Sequence, residues 1–179
     1  MTEFLLVRHG EPDYVRIRKW SNVDVARNYA PLTEVGVKQI ENTIKELKKE
    51  NADIIISSPF TRSLQGAGMM ARELQLEFFV EPDLHEWELD KTHLVRTNRE
   101  FKHLLRQRDQ GKWNKKSKWE SCEEVCARVF PVFERYLQYD KVIVSCHAVL
   151  MQMITGDTEP YEYGEVRRFV YEKEKTGKS

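Results

Sequence analysis

Phe4-Leu5-Leu6-Val7-Arg8-His9-Gly10-Glu11 is the stretch on which the fold turns. Its first four residues are a continuous apolar run, which reads as a short strand buried on both faces. The next four sit where that strand ends. In open α/β sheets, ligands bind at the carboxyl ends of the strands. A histidine there, beside an arginine and a chain-turning glycine, is placed to meet an anion. The same residues also suit an ordinary strand end, so the rest of the chain has to decide.

Further apolar runs follow the same pattern. Ile54-Ile55-Ile56, Glu77-Phe78-Phe79-Val80, Val142-Ile143-Val144 and the segment Val166–Tyr171 read as strands. Helical periods lie between them. Val37, Ile40, Ile44 and Leu47 share one face, with Thr33 as N-cap. Leu64, Ala67, Met70, Ala71 and Leu74 share another. Val125, Val129, Val132, Phe133 and Tyr136 form a third face, which Pro131 should bend or break. Strands alternating with helices predict an α/β three-layer sandwich, with a largely parallel central sheet and helices on both faces.

The whole composition narrows the class. A chain of 179 residues suits one domain, spanning 1–179, with one core. Lys+Arg 29 balances Asp+Glu 29, so no net charge draws the chain to nucleic acid or a membrane. No apolar run approaches the length of a membrane span. Glu3 falls where a signal peptide would be apolar, so no secretory signal is read. Cys122, Cys126 and Cys146 are an odd count without zinc-ligand spacing, which fits a reduced, cytoplasmic setting and no metal site.

One segment stands apart. Between residues 91 and 118, Lys91, Arg96, Arg99, Lys102, Arg106, Arg108, Lys112, Lys115, Lys116 and Lys118 face only Glu100 and Asp109. Phe101, Leu104 and Leu105 suggest a short amphipathic helix. This segment is expected to be a small helical insertion over the active site. Its charges suit either a solvated surface or an anionic substrate. Trp87, Trp113 and Trp119 surround it.

Three strand ends carry reactive groups: Arg8-His9, Ser57-Ser58-Pro59-Phe60-Thr61-Arg62, and Ser145-Cys146-His147. Arg62 falls near a helix N-terminus, where free N–H groups favour an anion. If these strands are parallel neighbours, two arginines and two histidines converge on one rim. Such donors repel one another unless something negative sits among them, and a phosphoryl group fits.

These motifs resemble the histidine phosphatase superfamily, also called phosphoglycerate mutase-like. Leu6-Val7-Arg8-His9-Gly10-Glu11 is similar to the family signature. Leu32-Thr33-Glu34-Val35-Gly36-Val37-Lys38-Gln39 resembles its LTxxGxxQ stretch, and Ser58-Pro59-Phe60-Thr61-Arg62-Ser63-Leu64-Gln65 its SPxxRxxQ motif. Leu84-His85-Glu86 and Val144-Ser145-Cys146-His147 resemble the acidic and second-histidine elements. Glu120-Ser121 and Arg128 are similar to a weaker family pattern. The motifs occur in family order from Phe4 to about Ile154.

The resemblance implies roles. His9 is the nucleophile that forms a phosphohistidine, kept neutral by the charges of Arg8 and Arg62. Arg8, Arg62 and His147 hold the phosphoryl oxygens. Glu86 is the general acid, with Glu81, Glu88 and Asp90 as alternatives if the local register slips. The resemblance implies no cofactor. Its implied partner is a phosphorylated small molecule, such as a nucleotide or sugar phosphate, and a phosphoprotein stays open. Pro12-Asp13-Tyr14 departs from the Ser or Thr that usually follows, and Asp13 is expected to point away from the phosphate. Ala148 replaces the glycine usual after the second histidine. The short chain and modest insertion favour a phosphatase; a mutase and an inactive phosphate-binding module are the alternatives.

Overall fold

The computed structural model describes residues 1–17, 19, 23–95, 97–109 and 118–172. Trp113, Arg96, Lys112, Lys115 and Lys116 of the basic segment lie outside the described residues. The chain runs β1 (Thr2–Arg8), α1 (Val23–Asn28), α2 (Glu34–Leu47), β2 (Ile54–Ser57), α3 (Thr61–Leu74) and β3 (Phe78–Val80). It continues through a short 3-10 turn at Pro82–Leu84, then α4 (Asn98–Asp109), α5 (Cys122–Glu134), β4 (Lys141–Cys146), α6 (Ala148–Thr155) and β5 (Val166–Tyr171).

The five strands form one sheet in the order β3-β2-β4-β1-β5. All neighbours are parallel except β5, which pairs antiparallel with β1 at the edge. The expected α/β arrangement is therefore present, with apolar side chains alternating to two cores. Phe4 and Leu6 of β1 pack with α5 and α6 residues such as Val129, Phe133 and Leu150. Leu5 and Val7 pack on the other face against Ile40 and Ile44 of α2 and Met70 of α3. Phe4 and Phe133 stack with ring centroids 4.2 Å apart. Each fully buried side chain of this kind contributes about 1.5–3 kcal/mol.

The helix starts follow local chemistry. Thr33 caps α2, accepting from Gly36 N. Ser121 and Glu124 form a capping box at α5. That helix runs past Pro131 and ends at Glu134, so Tyr136 lies beyond it yet is still buried. The bond that Pro131 removes is the one to the Ala127 carbonyl, and the helix continues for about one more turn. Two helices carried no strong period. The short α1 and the apolar α6 were not legible in the pattern, because α6 is buried rather than amphipathic. Among the described residues, no helix is long and apolar enough to cross a membrane.

The loop after β1 is pinned to the start of α2 by close backbone approach. A Cβ on Gly10 would lie 2.3 Å from Gly36 O, and one on Gly36 would lie 2.3 Å from Glu11 O. Glu11 then ties the loop down: its carbonyl accepts from Thr33 N, its carboxylate from Thr33 Oγ1, and its own N–H donates to Gln39 Oε1. Gln65 Oε1 accepts from Leu32 N across the same junction. Much of the motif vocabulary thus holds backbone in place.

Neither glycine tolerates a methyl group without moving main chain. Gly10→Ala and Gly36→Ala are each expected to lower unfolding free energy by about 1–3 kcal/mol or more, read by urea denaturation. Gly68→Ala, where a Cβ meets nothing within 4 Å, is the control and should not destabilise.

Candidate active site

Strand register brings the three reactive ends together. Arg8 is level with Cys146, and Ser57 with Ser145. Parallel pairing continues one step further: His9 N donates to Cys146 O at 3.1 Å, and Ser58 N to Ser145 O at 3.0 Å. His9, Ser58 and His147 are therefore neighbours at the carboxyl edge of the sheet.

Hydrogen bonds assign the two imidazoles. His9 Nδ1 lies 2.7 Å from Gly10 O. A carbonyl only accepts, so Nδ1 carries the hydrogen and Nε2 holds the lone pair. Nε2 accepts from Arg62 Nε at 3.0 Å. Arg62 Nη2 donates to His147 Nδ1 at 3.2 Å, which leaves the His147 hydrogen on Nε2, 2.7 Å from Ser58 Oγ. Arg62 Nη1 donates to Arg27 O at 2.9 Å. One buried guanidinium thus links both histidines and α1.

Both rings are neutral. Burial holds the His9 and His147 pKa values well below the ordinary imidazole range, and the Arg62 charge adds to this in each. Arg8 has a smaller effect on His9. The arginines expected to keep His9 neutral are therefore secondary to the loss of water around the ring. Arg62 is also buried, which lowers its pKa, yet a guanidinium stays charged.

Arg8 donates through Nη1 to Tyr161 O and lies over the Tyr163 ring, 3.8 Å from its centroid. Its Nε is buried with no hydrogen-bond partner. A buried donor without a partner is costly, and an anion in the site would satisfy it.

Glu86 reaches the same pocket from the segment after the 3-10 turn. Its Oε1 accepts from Trp87 N at 2.9 Å and Leu150 N at 3.0 Å. The carboxylate therefore sits at the N-terminus of α6, whose dipole favours it. Two of the alternatives lie outside the pocket. Glu81 is engaged by Arg135 Nη2 and Tyr136 OH, and Asp90 by Thr92 and Leu94. Glu88 also lines the pocket, with its carboxylate 3.8 Å from His93 Nε2.

A largely buried ion pair braces this acidic segment. Arg128 Nε and Nη2 donate to the two Glu120 carboxylate oxygens at 2.8 and 3.0 Å. Arg128 Nη1 also donates to the carbonyls of Asp83 and His85. Glu120 in turn accepts from Glu88 N, and its carbonyl accepts from Trp87 Nε1. The residues on both sides of Glu86 are thereby fixed.

The pocket is a cavity of about 320 Å³ lined by Arg8, His9, Arg62 and Glu86. His147 is fully buried and stands behind Arg62 and His9, their ring centroids 5.2 Å apart, so it meets the cavity through its neighbours. A larger cavity of about 770 Å³ beside α4 contains none of these residues. Asp13 turns its carboxylate onto the N–H groups of Val15 and Arg16. Tyr14, Arg27, Phe60 and Tyr163 are pocket residues that sequence reasoning did not assign. Tyr14 had a signal, since it falls where the chain departs from the family; Arg27 and Tyr163 sit in segments without periodicity. Among the described residues, no cluster of His, Cys, Asp and Glu is arranged to hold a metal ion.

Comparison with known proteins agrees with this arrangement. A family model for the histidine phosphatase superfamily (branch 1) matches residues 4–176. A probable phosphoglycerate mutase of Photorhabdus laumondii is 28% identical over 144 residues, 75% of this chain and 62% of that protein. Another, of Proteus mirabilis, is 29% identical over 89 residues, 50% of this chain and 40% of that protein. The chain thus spans less than two thirds of these curated relatives. Among solved structures, a mycobacterial glucosyl-3-phosphoglycerate phosphatase superposes with TM-score 0.72 at 19% identity, covering 93% of this chain and 89% of that one. A phosphoglycerate mutase from Bacillus anthracis superposes with TM-score 0.67 at 19% identity, covering 95% and 88%. At such identities the shared property is the fold.

Two outcomes are expected from the site's electrostatics. Unfolded imidazoles take up protons below about pH 6.5, while His9 and His147 resist them in the fold. The unfolded chain then binds more protons, so stability falls as pH drops below that value, each ring costing up to about 1.4 kcal/mol per pH unit. Denaturation at stepped pH should show this slope, reduced in His147→Asn. Removing one member of the Glu120–Arg128 pair, as in Arg128→Ala, should cost about 3–5 kcal/mol by the same method.

Proposed function

The chain belongs to the histidine phosphatase superfamily, and on that premise we propose that it is a phosphomonoesterase acting through a phosphohistidine on His9. The observation that carries this reading is the tautomer of His9. Its Nδ1 hydrogen is committed to Gly10 O, so Nε2 offers a lone pair between two arginines. A neutral, oriented imidazole beside cationic donors suits attack on phosphorus.

The steps follow. A phosphoryl oxygen takes over the Arg62 Nε–H that His9 Nε2 accepts in the free site; Nε2 then attacks phosphorus, the N–P bond forms, and the ester P–O bond breaks. Glu86 relays the proton of the phosphate monoanion to the leaving oxygen. The Gly10 carbonyl stabilises the positive charge on the phosphorylated ring through the Nδ1 hydrogen. A water then yields its proton to Glu86 and attacks phosphorus, the N–P bond breaks, and phosphate leaves with the Nε2 lone pair restored. Arg8 and Arg62 neutralise the phosphoryl oxygens throughout. Buried behind them, His147 accepts from Arg62 Nη2 and so helps to position it.

Hydrolysis is favoured over return of the phosphoryl group to a second hydroxyl by the modest length of the insertion between residues 91 and 118. Of the described α4 residues, Phe101 lines the pocket. The mutase reading draws support from the probable mutases among the relatives. In the preferred reading the substrate is a phosphorylated small molecule, with no nucleic acid or membrane partner. A reduced cytoplasmic setting accompanies it, in keeping with the free thiols of Cys122, Cys126 and Cys146.

Phosphate release from an aryl phosphate in the presence of chelator, with inhibition by vanadate, is the expected activity. His9→Ala should abolish it together with an acid-labile, base-stable phosphoryl label. Glu86→Gln should lower kcat about 100- to 10,000-fold. Equal activity in His9→Ala would overturn the nucleophile, and phosphoglycerate interconversion exceeding phosphate release would establish the mutase reading instead.

A further inference from the structure

Arg8 stands at the exit of β1, where a long side chain samples many rotamers unless its surroundings hold it. The segment before β5 does so. Arg8 N donates to Glu165 O at 3.0 Å, and Gly164 N donates to Arg8 O at 3.1 Å. The antiparallel pairing of β1 with β5 thus runs on past Val7 and Val166. It carries residues 161–164 alongside the pocket. Arg8 Nη1 donates to Tyr161 O, and the Tyr163 ring lies against the guanidinium, whose carbon is 3.8 Å from the ring centroid. The same ring is 5.7 Å from that of His9, centroid to centroid.

The main chain on both sides of Tyr163 is anchored. Gly164 has φ +79°, a left-handed conformation that side chains rarely adopt, and a Cβ there would lie 2.8 Å from Thr43 Oγ1. Thr43, buried in α2, donates to Gly164 O at 2.6 Å. On the other side, Tyr161 is buried and its hydroxyl donates to Asp157 Oδ2 at 2.6 Å. The ring that meets Arg8 is therefore presented by fixed backbone.

A guanidinium carries its N–H donors in one plane. The Tyr163 ring covers a face of Arg8 and so sets the tilt of that plane, while the Tyr161 carbonyl sets the rotation within it. Together the two contacts fix the direction of the buried Nε–H, which has no partner of its own. A ring face does this without taking up a donor or neutralising the charge, as a carboxylate would. We propose that Tyr163 is a positioning residue for phosphoryl transfer: its ring fixes the Arg8 guanidinium so that the Nε edge meets a phosphoryl oxygen bound beside His9. This rests on the phosphatase reading for its catalytic consequence.

The test is a double-mutant cycle of Tyr163→Met, which fills space without a ring face, with Arg8→Gln. Two quantities are read on each full-length protein: kcat/KM for an aryl phosphate, and vanadate affinity by calorimetry. Tyr163→Met should lower both by about 10- to 100-fold. Tyr163→Phe, which keeps the ring, should stay within about threefold of the wild type. In the Arg8→Gln background, Tyr163→Met should cost no more than about a further threefold, since the group it positions is gone. A merely structural role would repeat its full loss there. That repetition, an unimpaired Tyr163→Met, or a Tyr163→Phe as impaired as Tyr163→Met would overturn the proposal. Vanadate binding needs no turnover, so it separates this inference from the hydrolytic reading. The same non-additive loss of vanadate affinity, without phosphate release by the wild type, would support the role of Tyr163 and reject the phosphatase. Absence of vanadate binding by the wild type would overturn both. If Tyr163→Met does not fold, Tyr163→Leu supplies the cycle.

Discussion

The site depends on one buried cation. Arg62 donates to His9 Nε2, to His147 Nδ1 and to the carbonyl of Arg27, and so ties together the ends of β1 and β4, the start of α3 and the end of α1. A desolvated charge is expensive unless it is well hydrogen-bonded. Here it spends its donors on two imidazole lone pairs and a carbonyl, none of them a full negative charge. The arrangement therefore adds to the burial that keeps both histidines neutral, and leaves guanidinium N–H donors free for an anion. Nucleophile and electrostatic stabiliser are set by the same contacts.

Around that cation the chain invests heavily in positioning. Gly10 and Gly36 let two backbones meet at distances that no side chain allows, while Glu11, Thr33, Gln39 and Gln65 bond the junction together. On the opposite side, Glu120 and Arg128 grip the segment that carries Glu86. Precise placement of reacting groups is worth many kilocalories to a displacement reaction, and loops alone rarely supply it. The rigid parallel sheet below supplies the common rim, and these braces set the loops on it.

Much of this was legible. The apolar runs and helical periods marked all five strands and the main amphipathic helices: burial on a sheet face or a helix face leaves a period in the chain, and the exposed edge strand β3 is marked by its aromatic and β-branched residues. The turn-and-cap chemistry at Thr33 and the order of the motifs were equally visible. The helix α6 escaped because a buried helix has no polar face to set its period, and α1 because it is short. Tyr163 and Arg27 escaped because nothing in their neighbourhood distinguishes a pocket wall from an ordinary loop.

By itself the sequence determined the strand-helix alternation, the family and the identity of the groups at three strand ends, since these are local properties of composition and spacing. Only the tertiary structure decided how they act. It placed β1 beside β4 and β4 beside β2, so that distant residues share a rim. It made burial, ahead of neighbouring charge, the main cause of the neutral imidazoles, and chose the His9 tautomer through the Gly10 carbonyl. It also set Arg27 between Tyr14 and Phe101. Desolvation and hydrogen-bond geometry depend on what surrounds an atom in space, which a linear order of residues does not contain.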